Sequence, residues 1–422
     1  MMKVSPQRAW CLYDWANSAF ATTVMAALFP PFFRELAEAG GYTGAQTTAM
    51  WGYITAAALL LVALTAPMLG AMADVAGKRK KYLALFAGIG ILMTALFATI
   101  GPGAWRTAAA LFIAANFGFA AATVFYESLL PSLASGRQLD RLSAQAYAWG
   151  YAGGGLLLII NLMWVMRPEW FGLPDSGMAI KLSFVSVAVW WGVFTVPLLR
   201  HVPEPSPQLK TGTQSAPGWR RMWQTFAEIR QNRPLFRFLV AFWIYNDGIG
   251  TIVKMATVYG SEIGIGLTDM IGALVLTQII GIPCAFAFGN LAQRLTARTA
   301  ILIGLAVYLL ISVGGYFMST ALHFYLLAGA VGTVQGGTQA LSRSLFATLV
   351  PADRTAEYFG FYALSGKLAG IVGPLVFAAV SQGTGAGRWG ILSLIVFFGL
   401  GGYLLSKVDL SLGKGSTLRD SP

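Results

Sequence analysis

Six ionisable residues stand in stretches otherwise apolar enough for a membrane: Asp14, Glu127, Asp247, Lys254, Arg343 and Lys367. An ionised side chain at the centre of a bilayer costs about 2.5–3.5 kcal/mol on insertion scales, so each needs a partner or a wet cavity. Three are acids and three are bases, so the set can be neutral as a whole. Carboxylates in such a setting can carry protons, and a mixture of both charges suits a solute that is itself zwitterionic. Enzyme chemistry is not in view. His201 and His323 are isolated, and no nucleophile, base and oxyanion donor are assembled. Cys11 and Cys284 lie far from any metal-ligand or CxxC spacing and suit small buried packing roles. No Walker A or other nucleotide motif is present, and no metal or cofactor is expected.

The polar residues fall on helical faces. Asp14, Asn17, Ser18 and Ala21 are spaced i, i+3, i+4 and i+7, as one stripe on a first helix. Asp247, Thr251 and Lys254 form a stripe on a seventh, beside Asn246. Gln335, Gln339, Ser342 and Arg343 do so on a tenth, and Asn116, Thr123 and Glu127 on a fourth. Lys367 sits in SGKLAG on an eleventh and has Asp247 or Glu127 as possible partners. Ser18 and Thr251 suit hydrogen bonding between helices as well as they suit a ligand. Arg343, eight residues before Pro351, has snorkelling to the interface as its rival role.

The elements that carry these stripes must be membrane helices. Hydrophobic residues make up 56% of the 422 residues and charged ones 11%, with a mean hydropathy of +0.64. A soluble domain is usually about a quarter charged. Runs of membrane-crossing length predict twelve spans near 9–33, 51–73, 82–100, 105–131, 143–166, 180–200, 235–260, 270–290, 298–318, 321–349, 357–380 and 388–406. With both termini in the cytoplasm, 21 of the 29 lysines and arginines fall in cytoplasmic segments, five in outer loops and three inside spans. That asymmetry sets the orientation, so the net charge of +12 is topology and implies no nucleic-acid partner. The N-terminal MMKVSPQRAW is too polar and short for a cleaved signal, so the first span is expected to stay as an anchor.

Residues 1–200 and 234–408 read as two six-helix bundles, joined by a linker at 201–233 and followed by a cytoplasmic tail at 409–422. The linker is Pro-rich and then basic. From Gly218 to Arg233 it predicts an amphipathic helix on the inner membrane surface, with Trp219, Trp223 and Phe226 dipping in. The halves repeat. LYDWANSAF at 12–20 aligns with IYNDGIGTI at 244–252, and GAMADVAGKRK from Gly70 aligns with GNLAQRLTART from Gly289. A duplicated bundle of this kind places a pathway between its halves. Gly153-Gly154-Gly155 corresponds to the surroundings of Gly366, where close helix approach is expected, and Pro374 and Pro283 mark kinks.

Gly70, Asp74, Gly77, Lys78 and Arg79 resemble the signature loop of the major facilitator superfamily, with a worn copy in the second half where Gln293 and Thr296 replace Asp74 and Gly77. LYDWANSAFATTV, VFYESLLPSLA, FLVAFWIYNDGIGTI and VQGGTQALSRSLFATLVP resemble, more narrowly, the family of the fungal vacuolar amino-acid effluxers and their bacterial relatives. Glu127-Ser128 departs from that pattern, which expects an uncharged amide and a small residue. The resemblance implies an all-α secondary transporter that works as a monomer, in which helices one, four, seven and ten line a central cavity. It also implies that the helix Asp74 meets is the eleventh, starting near Thr355 to Glu357. Lys78 and Arg79 are placed to hold the nearby acids Asp140 or Asp353, and the loop reads as a conformational latch favouring the outward-open state.

The expected function is therefore alternating-access transport of a small polar or zwitterionic solute, an amino acid or related metabolite. Proton-coupled efflux across a bacterial inner membrane is the favoured form. The aromatic content of 13% keeps export of amphipathic drugs as the alternative within transport. A membrane receptor or a lipid scramblase is the alternative outside it.

Overall fold

The computed structural model describes residues 4–205 and 219–409, and among them all regular structure is helical. The expected tail beyond Asp409 and the Pro-rich part of the linker at 206–218 lie outside the described residues. Nine helical runs are long and apolar enough to cross a membrane. Three further long runs complete twelve crossings among the described residues: 6–39, Arg233–Glu262 and Ala321–Leu349. Those three carry Asp14, Asp247 and Arg343, whose polar neighbours dilute the apolar character that a spanning helix otherwise has.

The first crossing is longer than the expected 9–33 and is built in three pieces. Helix α1 (Pro6–Ala19) starts on Ser5, whose hydroxyl accepts the Arg8 amide at 3.3 Å. It then widens to a π-helix over Phe20–Leu28 and returns to α geometry in α2 (Phe29–Ala39). Pro30 and Pro31 withhold two amide donors from the preceding turn, which favours a change of ladder at this point. The N-terminal bundle continues with α3 (Gly44–Ala76), α4 (Arg79–Leu96), α5 (Trp105–Ser128) extended by the short α6 (Leu130–Leu133), α7 (Arg137–Met166) and α8 (Ser176–His201). Gly77 closes α3 at φ +59°, a left-handed cap that glycine adopts without strain.

The linker holds α9 (Trp219–Gln231). The C-terminal bundle follows as α10 (Arg233–Glu262), α11 (Leu267–Arg294), α12 (Ala297–Tyr316) and α13 (Ala321–Leu349). Its eleventh crossing is divided into α14 (Thr355–Leu368) and α15 (Val372–Thr384), and its twelfth into α16 (Gly387–Ser393) and α17 (Ile395–Ser406). The kink expected at Pro374 is thus a full interruption of the helix at residues 369–371.

Small residues let the helices approach. Gly150 lies against the Ser18 hydroxyl, where a methyl would come within 2.7 Å, and Gly153 lies under the Trp15 ring and backbone. Between the halves, α3 packs on α14 and α7 on α11. Gly70 meets the Ala356 backbone, and Gly360 meets Ala66 and Pro67. Tyr151 fills the space left by Gly281 and Gly336. The α3–α4 turn and α9 lie on one face of the molecule, the linker face.

Candidate functional site

Arg343 sits on α13 in the C-terminal half but is enclosed by the N-terminal half, with 1% of its surface exposed. Its Nη1 lies 3.4 Å from Asp14 Oδ2 on α1 and 4.0 Å from Glu127 Oε1 on α5. Its Nε donates to the Ser143 hydroxyl at 2.9 Å, and its Nη2 donates to the Ser143 carbonyl at 3.1 Å, both on α7. Three rings surround the guanidinium: Tyr147 at 4.6 Å, Trp10 at 4.9 Å and Tyr126 at 5.6 Å. Aromatic faces attract a cation, and arginine is less strongly hydrated than lysine, so this cage suits Arg343 in particular. The snorkelling role is excluded in this conformation.

The cage is held in turn by its own packing. Trp10 stacks on Tyr126 at 4.5 Å and donates its indole N–H to the Tyr126 carbonyl at 3.0 Å. Next to Arg343, the Ser344 hydroxyl donates to Asp140 at 2.5 Å, and nearer the linker face the Thr355 hydroxyl donates to the Ser128 carbonyl at 3.2 Å.

A second network closes the linker face. Asp74 Oδ2 accepts the backbone N–H of Glu357 at 2.8 Å, and Asp74 Oδ1 accepts from Arg79 Nε at 2.7 Å. The carboxylate therefore lies at the amide end of α14, where the helix dipole favours negative charge. Arg79 turns back to Asp74 and reaches neither Asp140 nor Asp353, which corrects that expectation. Lys78 is exposed. The Glu357 side chain points the other way and accepts from Arg221 Nη2 at 3.0 Å, from Arg354 Nε at 3.0 Å and from the Thr225 hydroxyl. Arg354 also meets Glu228 at 2.6 Å.

Helix α9 thus clasps α14 through Arg221 and Thr225 at Glu357 and through Phe226, which stacks on Phe361 at 6.5 Å, while Trp223, 63% exposed, faces outward. The expectation of a membrane-lying helix described only that outward side. The Trp219 side chain lies outside the described residues. The clasp was not legible in GWRRMWQTF, because nothing local distinguishes Arg221 from Arg220.

In the C-terminal half, the Gln339 amide donates to Asn246 Oδ1 at 2.6 Å, joining α13 to α10, and both residues are half-buried, as is Gln335. Lys254 Nζ donates to the Gly370 carbonyl at 3.3 Å. Asp247 Oδ2 accepts the Gly373 amide at 3.0 Å. Lys367 has no hydrogen bond or ion pair among the described residues, and the charges acting on it are those of Glu127 and Lys254. Neither pairing considered for it is made.

Other stripe residues serve their helices. Ser18 fits the seam between α1 and α7, and Thr123 and Thr251 donate to the Phe119 and Asp247 carbonyls of their own helices. Asn17 is buried. The expectation that Asp14, Asp247 and Arg343 border open water fails in this conformation for Arg343 and Asp247, each 1% exposed, whereas Asp14 is half-buried. Among the described residues no group of three acidic, histidine or cysteine side chains is placed to hold a metal.

Gly70 makes the closure possible, because a side chain there would overlap the Ala356 backbone. Gly70→Leu is expected to wedge α3 from α14 and open the linker face. A cysteine placed by Ser344→Cys, with Cys11 and Cys284 replaced by serine, should then react with a charged thiol reagent from that face. In the Gly70 background it should be protected.

Comparisons with known proteins agree with this architecture. A family model described as vacuole effluxer Atg22-like matches residues 3–417. An MFS-type transporter of Bacillus subtilis, YxiO, is 38% identical over 411 residues, covering 97% of this chain and 96% of that one. Autophagy-related protein 22 of Yarrowia lipolytica is 25% identical over 448 residues, covering 84% and 74%. Among solved structures, the human organic anion transporter MFSD10 superposes with a TM-score of 0.74 at 16% identity, covering 94% and 98%. The major facilitator transporter FucP in its outward conformation gives 0.70 at 13% identity, covering 97% and 100%.

Proposed function

Because the chain belongs to the Atg22-like family of major facilitator transporters, we propose that this secondary transporter moves a small zwitterionic solute, an amino acid or related metabolite, by alternating access. Its relatives are transporters rather than enzymes. The observation that carries the substrate reading is the Arg343 bridge. A guanidinium of one half is buried against two acids of the other, and the linker face cannot open until they part. A zwitterion offers both replacements at once, an ammonium for Asp14 or Glu127 and a carboxylate for Arg343. A ligand biases a conformational equilibrium only through such differential contacts.

The linker face is the cytoplasmic one in this reading, as the basic loops require, and the membrane is the cytoplasmic membrane of a bacterium. The conformation is then closed to the cytoplasm. Protons supply the energy, and efflux is the direction. The protein works as a monomer, with lipid around it as its remaining partner.

A second reading, export of amphipathic compounds, has one observation in its favour. A cavity of about 330 Å3 between α7 and α11 is lined by Trp15, Tyr151, Gly155, Gln278 and aliphatic side chains. Purified protein in liposomes under a pH gradient, tested with labelled amino acids and with cationic dyes, separates the two. Amino-acid flux that follows the gradient is the expected result, and dye flux without amino-acid flux reverses the assignment.

A further inference from the structure

Helices α1 and α10 occupy equivalent places in the two repeats, and in the alignment of 12–20 with 244–252 Trp15 stands where Asp247 does. Extending the register by two residues past that stretch pairs Thr22 with Lys254. In the N-terminal half this seam is neutral. Trp15 packs on Gly153, and the Thr22 hydroxyl donates to the Gly154 carbonyl at 3.2 Å on an unbroken α7. The C-terminal half replaces that pair with an acid and a base, facing an eleventh crossing that is interrupted. The fold evidently can be built without the charges.

Pro374 favours the interruption, although Pro67, Pro197 and Pro283 sit inside continuous helices. In a continuous helix the Gly370 carbonyl would accept the amide of residue 374, which proline lacks. Lys254 supplies a donor to that carbonyl. The Gly373 amide, which would otherwise bond residue 369, goes to Asp247. Helix α10 therefore holds both ends of the break, the carbonyl end with a cation and the amide end with a carboxylate. Gly373 permits the approach, since a methyl there would lie 2.8 Å from Asp247 Oδ1. That oxygen has no hydrogen-bond partner among the described residues, although the side chain is sealed from solvent.

We infer that Asp247 Oδ1 is a proton-binding site whose occupancy controls the hold of α10 on the half-helix α15. This rests on the proton-coupled transport proposed above. A proton from water at the far face adds to Oδ1, the carboxylate becomes a neutral acid, and its charge-assisted bond to the Gly373 amide weakens. Half-helix α15 is then free to move relative to α10 while α14 stays latched at the linker face. A metal cation fits less well, because Asp247 offers a single free oxygen and the Lys254 ammonium already stands nearby. The charged groups that face Asp247 are few. Lys254 lies on its own helix and the amide end of α15 lies opposite. Lys367 of α14 acts on Lys254 in turn, and Arg343 of α13 is committed to Asp14. Among the described residues, Lys254 is the charged side chain that acts on Asp247.

Amide hydrogen exchange of the full-length protein in nanodiscs tests this, read on peptides covering 366–380 between about pH 5 and about pH 8 after correction for intrinsic rates. Exchange at Val372 and Gly373 is expected to rise about tenfold on acidification, the effect of losing one hydrogen bond to a charged group. Asp247→Asn should exchange at the fast rate at every pH, and Asp269→Asn should keep the wild-type profile. Wild-type exchange that does not respond to pH overturns the proposal, as does a wild-type response retained in Asp247→Asn. The wild-type titration decides alone if Asp247→Asn does not fold. Gradient-driven flux without the exchange response removes this site and leaves the transporter reading intact. The response without gradient-driven flux removes proton coupling and leaves the site.

Discussion

Arg343→Met is expected to lower the stability of the purified protein by about 3–5 kcal/mol, the usual cost of removing one partner from a buried ion pair. The loss should be large here because two acids, Asp14 and Glu127, depend on one guanidinium that also satisfies the Ser143 hydroxyl and carbonyl. Arg343→Lys should recover only part of it. An ammonium keeps the charge but loses the planar stacking among Trp10, Tyr126 and Tyr147 and the fork that reaches Ser143. Adding Asp14→Asn to Arg343→Met should make the double variant more stable than Arg343→Met alone, since an uncompensated carboxylate is removed. Residues in contact typically show coupling of about 0.5–3 kcal/mol in such a cycle. Thermal unfolding in detergent checks the series. A double variant no more stable than the single one would show that Asp14 and Arg343 do not act as a pair.

Asp74→Asn should shift the protein toward the conformation open at the linker face. The carboxylate serves two partners, the Glu357 amide at the start of α14 and Arg79. An asparagine oxygen can keep the first contact but not the charge that favours it. Hydrogen bonds to charged groups contribute about 1.5–3 kcal/mol, so the ratio of closed to open molecules should fall by roughly tenfold or more. Spin labels on the α3–α4 turn and on α11 near Arg294, measured by double electron-electron resonance, should report a longer distance across the linker face. Unchanged distances would remove Asp74 from the closure. Glu357→Gln should act in the same direction by releasing α9 from α14, because Arg221 and Arg354 lose their shared carboxylate.

The two effects belong to one mechanical scheme. Asp74 and Glu357 fasten the ends of α3, α9 and α14, and Arg343 fastens α13 to α1, α5 and α7 about two turns further in. The second of these includes the Arg343 bridge, which the function proposed above makes the place where a substrate would be felt.

The amino-acid sequence by itself determined the solvent, the all-helical class, the twelve crossings and the repeat. These follow from composition, run length and periodicity, which are local properties. It also marked the groups that have to be accounted for, since an ion in an apolar run is conspicuous wherever it later points. Partner choice was decided only by tertiary structure. Asp14 and Arg343 are 329 residues apart, and the stripe that holds Asp14 is equally compatible with open water. Tyr126, Tyr147 and Ser143 gave no signal, because aromatic and small hydroxyl residues are ordinary in membrane helices until a cation is placed among them. Arg221 became visible only once α9 lay on α14. Pro374 predicted a disturbance of the eleventh helix, but whether the freed carbonyl and amide met water, a kinked neighbour or the Lys254 and Asp247 of another helix depended on the packing of α10 beside them. Helical periodicity reports which face a residue occupies, and only the assembled bundle determines what that face meets.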